Sequence, residues 1–295
     1  MPMTVLHVLP SAVARGAQVY VRELLGALEG GPYAHHLVTL FPAGPDRSIP
    51  GFDPRAWRRL RRAVRHHRPV VVVAHGGEPL KSETLASGGA AVVYYKIGPS
   101  PQLQGRRARP WRAMLRRADG LAAVSSAMAE ELASLAGVSV GRVAVIPNGR
   151  DPGCFPAPTG GGERHPPVVG FVGHLTPAKH PERFVAAVAA LRSKGLAVDA
   201  YIAGDGALRG AIEGPAAAAG VRVLGRRDDV PDLLAATDLL VSTSTLEGLP
   251  GVLIEAGLAG VATVASAAGG VAEVIDDGRT GLVVPEGDAA ALVEA

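Results

Sequence analysis

The chain has 295 residues, 47% of them apolar and only 4% aromatic, with 30 Lys and Arg against 27 Asp and Glu for a net charge of +3. That length and apolar share suffice for two domains with buried cores. A single cysteine, Cys154, excludes an internal disulfide framework and fits a reducing compartment, with a small buried hydrophobe as its expected role.

The chain begins M-P-M-T-V-L-H-V-L-P, with no basic leader and too short an apolar run for a signal peptide. No later stretch approaches the roughly 20 apolar residues of a membrane helix, so a soluble, cytoplasmic protein is expected. Apolar runs at Thr4 to Leu9, Leu37 to Phe41, Val70 to Ala74, Ala91 to Tyr95, Leu121 to Val124 and Val143 to Ile146 alternate with helical patterns, as a parallel sheet requires. These make a first domain over residues 1–155. Arg55 to Arg68 (R-A-W-R-R-L-R-R-A-V-R-H-H-R) carries Trp57, Leu60 and Val64 at helical spacing, which predicts an amphipathic helix with a cationic exposed face. A second basic run follows at Arg106 to Arg117. Residues 1–155 carry a net charge of +10 and residues 156–295 one of −7. The plain reading of the arginine face is solvated surface; the sharper one is peripheral attraction to anionic lipid headgroups at the inner membrane face, or to an anionic acceptor. No nucleic-acid partner is expected, because no aromatic residues interleave as stacking platforms. Ser125 and Ser126 before A-M-A-E-E-L read as helix caps rather than nucleophiles. The histidines and the lone cysteine lack metal-ligand spacing.

A linker is expected at Pro156 to Pro167 (P-A-P-T-G-G-G-E-R-H-P-P), too rich in proline and glycine for regular structure. A second domain over residues 168–295 follows, with strands at Val168 to Val172, Val198 to Ala203, Val221 to Leu224, Asp238 to Ser242 and Ala262 to Ala265 alternating with helices. Ligands of such sheets bind at the carboxyl ends of the strands. At one of those ends stands S-T-L-E-G-L-P-G-V-L-I-E-A-G, Ser244 to Gly257, with a turn at Pro250 and Gly251 and a helix from Val252 to Leu258. Free amides at such a helix start attract phosphate. Glu255 lies about one turn in, among Ile254, Ala256 and Leu258. A carboxylate there is costly unless a ligand hydroxyl or a salt bridge offsets it. Lys179 follows G-H-L-T-P-A and stands at the start of a helix whose Phe184, Val188 and Leu191 form the buried stripe, where a cation can hold a diphosphate.

Glu247 and Glu255, with seven residues between them in E-G-L-P-G-V-L-I-E-A, resemble the E-x7-E motif of family 4 glycosyltransferases (glycosyl transferases group 1). Val168 to Lys179 resembles that family's phosphate-binding strand and loop, and Ala200 to Arg209 its next strand and turn. Ala267 to Asp288 resembles its closing segment, and Val143 to Asp151 (V-A-V-I-P-N-G-R-D) the sequence leading out of its first domain. Most of residues 143–288 is covered.

The resemblance implies the GT-B fold: α/β, two Rossmann-like doubly wound domains facing across a cleft, the first on the acceptor side and the second binding the nucleotide sugar. It implies donor-sugar hydroxyls on Glu247 with the amides of Leu249, Gly251 and Val252 nearby, the nucleotide ribose on Glu255, the leaving diphosphate at Lys179 and at His174 next to Gly173, and Gly248 among the donor-binding residues. His174 stands where arginine is usual, and supplies charge only when protonated. Arg226 falls where the family backbone meets the nucleobase. Gly16 resembles the N-terminal glycine-rich loop, with Arg15 replacing the first of two usual glycines. His75, ending V-V-V-V-A-H-G-G-E, is placed at a strand end facing the cleft, where it either bonds the donor or is a loop histidine without a role. Asp288 to Ala295 reads as a helix just beginning, whereas the family continues through C-terminal helices, so these are expected to be missing.

Together these imply a retaining, hexosyltransferase-like, metal-independent enzyme without cofactor, moving a sugar from a nucleoside diphosphate sugar to a glycan, lipid-linked or small-molecule acceptor. Lys179, Glu247 and His75 are its candidate catalytic residues. A hydrolysing nucleotide-sugar epimerase of related fold and a noncatalytic nucleotide-sugar-binding subunit are the alternatives.

Overall fold

The structure is a computed structural model that describes residues 2–11, 16–41, 53–100, 103, 105, 108–156 and 166–295. Arg15, the basic pair at 106–107 and most of the proline-glycine linker lie outside the described residues. The chain divides into two units, Met1–Gly149 and Arg150–Ala295. Arg150 to Phe155 thus group with the second unit, ahead of the linker expected to separate the domains.

The first unit is a parallel sheet in the order β2-β1-β3-β4-β5-β6. Its strands are β1 (Met3–Ser11), β2 (Tyr33–Phe41), β3 (Val71–His75), β4 (Ala91–Lys96), β5 (Gly120–Ala123) and β6 (Val143–Val145). Its helices are α1 (Gly16–Ala27), α2 (Pro54–His67), α3 (Gly77–Ala86), α4 (Ala108–Leu115) and α5 (Ser126–Ala136). Leu6, Val8, Leu40 and Val72 pack on one face against Ala56, Leu60 and Val64 of α2. The start of α2 follows from its sequence. Asp53 Oδ1 accepts from the Arg55 amide at 2.7 Å, and Pro54 opens the helix with a preset φ. The arginines of α2 face outward, and among the described residues no carboxylate forms an ion pair with them. Arg61 lies 4.9 Å over the Trp57 ring. Ser125 caps α5 by accepting from the Met128 amide at 3.2 Å.

The second unit is also a parallel sheet, in the order β12-β11-β10-β7-β8-β9. Its strands are β7 (Val168–Val172), β8 (Asp199–Ala203), β9 (Val221–Gly225), β10 (Leu239–Ser242), β11 (Ala262–Ser266) and β12 (Gly281–Val284). Its helices are α6 (Pro181–Ser193), α7 (Arg209–Ala218), α8 (Val230–Ala235), α9 (Gly251–Leu258) and α10 (Ala289–Glu294). Adjacent residues of β10 show the double winding. Val241 packs with Phe184 and Val188 of α6, and Leu240 packs on the opposite face with Leu234 of α8 and Leu253 of α9. Both faces are buried, so the strand is continuously apolar. β12 is an edge strand beyond the five expected from the sequence. It is four residues long and pairs with one neighbour only, so no clear period marks it.

Candidate functional site

At the carboxyl ends of β7 and β10 two loops are laced together. Thr243 Oγ1 lies 2.9 Å from the Lys179 carbonyl and 2.8 Å from that of His180, and the Thr245 amide donates to the Ala178 carbonyl at 2.9 Å. These bonds hold Lys179 beside the S-T-L-E-G loop, where its Nζ meets Glu247 Oε1 at 2.5 Å. Glu247 is 8% exposed and Lys179 26%. On the other side of Glu247, Gly269 has φ +50°, and a Cβ there would lie 1.9 Å from the Glu247 carbonyl oxygen. The Gly270 amide donates to the Gly248 carbonyl at 3.1 Å. The expectation that Lys179 begins a helix is corrected. It closes a 3₁₀ turn, Pro177–Lys179, and α6 starts at Pro181, because His180 between them takes a left-handed φ of +46°.

Glu255 points from the first turns of α9 to Arg150, whose Nε donates to Oε1 at 2.7 Å. Arg150 is 3% exposed and Glu255 17%. Of the two offsets expected for this carboxylate, the salt bridge is therefore present. Arg150 escaped the sequence reading; its only signal was a cation in P-N-G-R-D, 105 positions from its partner. Each glutamate of the motif thus carries its own cation. Leu249 and Gly248 are buried, and Gly251 and Val252 open α9 at half-buried positions. Pro250 precedes them without an amide to offer.

Gly173 follows β7 and donates its amide to the Ala203 carbonyl at 2.9 Å. A Cβ at Gly173 would meet only ordinary contacts. His174 is exposed. Arg226 is exposed and reaches Asp228 at 3.3 Å, an ion pair too solvated to contribute much. Gly16 opens α1 in open space and without a positive φ, so nothing in its surroundings requires glycine.

His75 is corrected from an imidazole open to a ligand to a core residue. Val72 and Ala74 alternate onto the α2 face of the sheet, which puts His75 on the other face, 2% exposed, with Nε2 at 3.0 Å from His7 Nδ1. His7 Nε2 in turn lies 3.1 Å from His35 Nδ1. Burial, with charge on its histidine neighbour second, lowers His7 to about 4 and His75 to about 3. Among the described residues His75 Nδ1 has no partner, so the array is least costly with His75 donating from Nε2, leaving a bare lone pair inside. Cys154 is corrected too: it is exposed on the 3₁₀ turn Pro152–Cys154. Among the described residues no three His, Cys, Asp or Glu side chains gather as a metal site, and no helix is long and apolar enough to cross a membrane.

The profile of Glycosyltransferase Family 4 matches residues 5–153, and that of Glycosyl transferases group 1 matches residues 166–295. The chain is 30% identical over 198 residues to 2-deoxystreptamine glucosyltransferase of Streptomyces kanamyceticus, covering 60% of this chain and 50% of the relative. It is 30% identical over 239 residues to alpha-maltose-1-phosphate synthase of Mycolicibacterium smegmatis, covering 73% and 58% respectively. The chain thus spans about half the length of these relatives. In fold it matches Anabaena HepE, crystallised with UDP and glucose, with a TM-score of 0.77 over 99% of this chain and 88% of that one at 22% identity. With the first family profile covering half of the sequence and the second most of the rest, the chain belongs to glycosyltransferase family 4, as two Rossmann-like α/β domains of the GT-B kind.

Proposed function

We propose that the protein is a retaining glycosyltransferase using a nucleoside diphosphate sugar. The observation that carries this reading is the pairing of Lys179 with Glu247 at 2.5 Å, in the loop that runs into α9, the helix bearing Glu255. In the reaction the acceptor hydroxyl oxygen bonds to the anomeric carbon as the bond from that carbon to the leaving phosphate oxygen breaks. The hydroxyl proton passes to the diphosphate. Lys179 stabilises the negative charge that develops there. Glu247 orients the sugar hydroxyls and Glu255 the ribose, both as acceptors. Relatives named as a glucosyltransferase and a sugar-phosphate synthase support the class, and the neighbour with UDP and glucose makes UDP the first nucleotide to try.

The test is thermal stabilisation by UDP, GDP, ADP, TDP and their common sugars, for wild type and Glu255→Ala. One nucleotide should raise the midpoint of the wild type and not of the variant; no shift with any of them overturns the reading. Stabilisation without turnover would indicate a binding subunit, and an altered sugar released without acceptor would indicate an epimerase. The reaction needs no metal, so turnover should survive EDTA; loss restored by a divalent cation counts against it. A cytoplasmic location and peripheral contact through the arginine face of α2 belong to the same proposal. Vesicles rich in phosphatidylglycerol should sediment the wild type and release Arg58→Glu/Arg62→Glu, and equal binding to neutral vesicles would refute the contact.

A further inference from the structure

We propose that the cleft between α6 and α10 is a binding site for a small amphiphilic anion, a carboxylate with a short apolar chain, held by Arg183. The cleft has a volume of about 430 Å³, within the range of small-molecule sites. One wall is a stripe of α6: Arg183, Ala187, Ala190 and Lys194 recur in steps of three and four residues and so share a face. Leu292 of α10 lines the cleft and also packs against the core around Phe184. Ser266, 5% exposed at the end of β11, lines it too. Nothing in the transferase reading uses Arg183 or this cleft.

Arg183 marks the cleft as an anion site. Its side chain is half-buried with Nη1 shut off from solvent, and among the described residues no carboxylate or other acceptor pairs with its guanidinium. A partly desolvated cation without a counterion is costly, and a bound anion offsets that cost. Nη2 borders the cleft, since a Cβ on Gly287, another of its lining residues, would lie 3.9 Å away. The carboxylates closest in sequence and on the rim are engaged elsewhere. Glu182 Oε1 lies 2.6 Å from His180 Nδ1, and Asp288 Oδ1 caps α10, accepting from the Ala290 and Ala291 amides at 3.1 and 2.9 Å. The planar fork of a guanidinium matches a carboxylate in two parallel hydrogen bonds. Ala187, Ala190 and Leu292 carry no side-chain donor or acceptor, so the body of the ligand beside them is apolar.

The experiment titrates sodium octanoate, 1-octanol, acetate and inorganic phosphate calorimetrically into wild type, Arg183→Gln, Ala190→Phe and Lys194→Gln. Octanoate should bind the wild type about tenfold or more tighter than octanol, which lacks the charge, and than acetate or phosphate, which lack the chain. Arg183→Gln should weaken octanoate by about tenfold or more, as loss of a charge-assisted contact requires. Ala190→Phe fills the cleft and leaves the guanidinium in place; it should abolish binding, and it carries the test should Arg183→Gln not fold. Lys194→Gln, at an exposed position, should change the affinity by less than about threefold. A wild type that does not bind octanoate, or binds octanol, acetate or phosphate equally well, overturns the inference. So does an octanoate affinity unchanged in Arg183→Gln and Ala190→Phe. A wild type that binds octanoate in this pattern but no nucleoside diphosphate supports the cleft site and overturns the transferase reading alone.

Discussion

Glu247 is fixed by three segments that are far apart in the chain: the 3₁₀ turn bearing Lys179, its own loop pinned through Thr243 and Thr245, and the Gly269-Gly270 pair behind it. Gly269 has both a left-handed φ and no room for a Cβ. Gly269→Ala should therefore destabilise the protein by roughly 2–4 kcal/mol, from backbone strain and overpacking together. An unchanged denaturant midpoint would disprove that. The Lys179–Glu247 pair is mostly shielded from water, so Lys179→Met, which strands the carboxylate, should lose about 1–3 kcal/mol. The double variant Lys179→Met/Glu247→Leu should recover part of that loss, because no buried charge is left unpaired. Additive losses in a double-mutant cycle would mean that the two side chains act independently. At this scale the sequence revealed Glu247, Glu255 and Lys179, since motif spacing marks them. Arg150 stayed hidden because a partner 105 positions away leaves no periodic trace.

At the scale of elements, α2 was legible from end to end, since Asp53, Pro54 and the Leu60 and Val64 stripe are all local signals. Asp53→Ala should cost about 1 kcal/mol through two lost amide contacts, read as a lower melting temperature. The histidine array is the opposite case. His7, His35 and His75 come from β1, β2 and β3, and only strand register puts them on one face. Their ordinary pKa is near 6.5, and folding lowers His7 to about 4 and His75 to about 3. Below about pH 6.5 the unfolded chain takes up protons that the folded one refuses. Stability from this array is complete above that pH and falls steadily as pH drops toward 4. The slope should be roughly 1.4 kcal/mol per pH unit for each of the two histidines. Tyr95, edge-on to His75 at 5.3 Å, is held neutral by burial and contributes nothing in this window. Unfolding of His7→Asn/His75→Gln at pH 4 to 7 should show a flatter dependence; the wild-type slope in that variant would count against the array.

Over the whole molecule, each unit has its own apolar core: one around Leu6, Leu60 and Val72, the others around Phe184 and Leu253. Two cooperative unfolding steps are therefore expected, with a recognised nucleoside diphosphate raising only the step of the second unit. A single step, or an equal shift of both, would contradict this. Sequence by itself determined the two α/β units, the alternation of helices and strands apart from the edge strand β12, and the residues of the E-x7-E motif, because apolar period, capping residues and motif spacing are properties of neighbouring positions. Tertiary structure alone decided that Lys179 pairs with Glu247, that Arg150 lies against Gly251 and binds Glu255, and that His75 turns into the core. Those outcomes depend on loop backbone and strand register, which bring together residues that the chain keeps tens of positions apart.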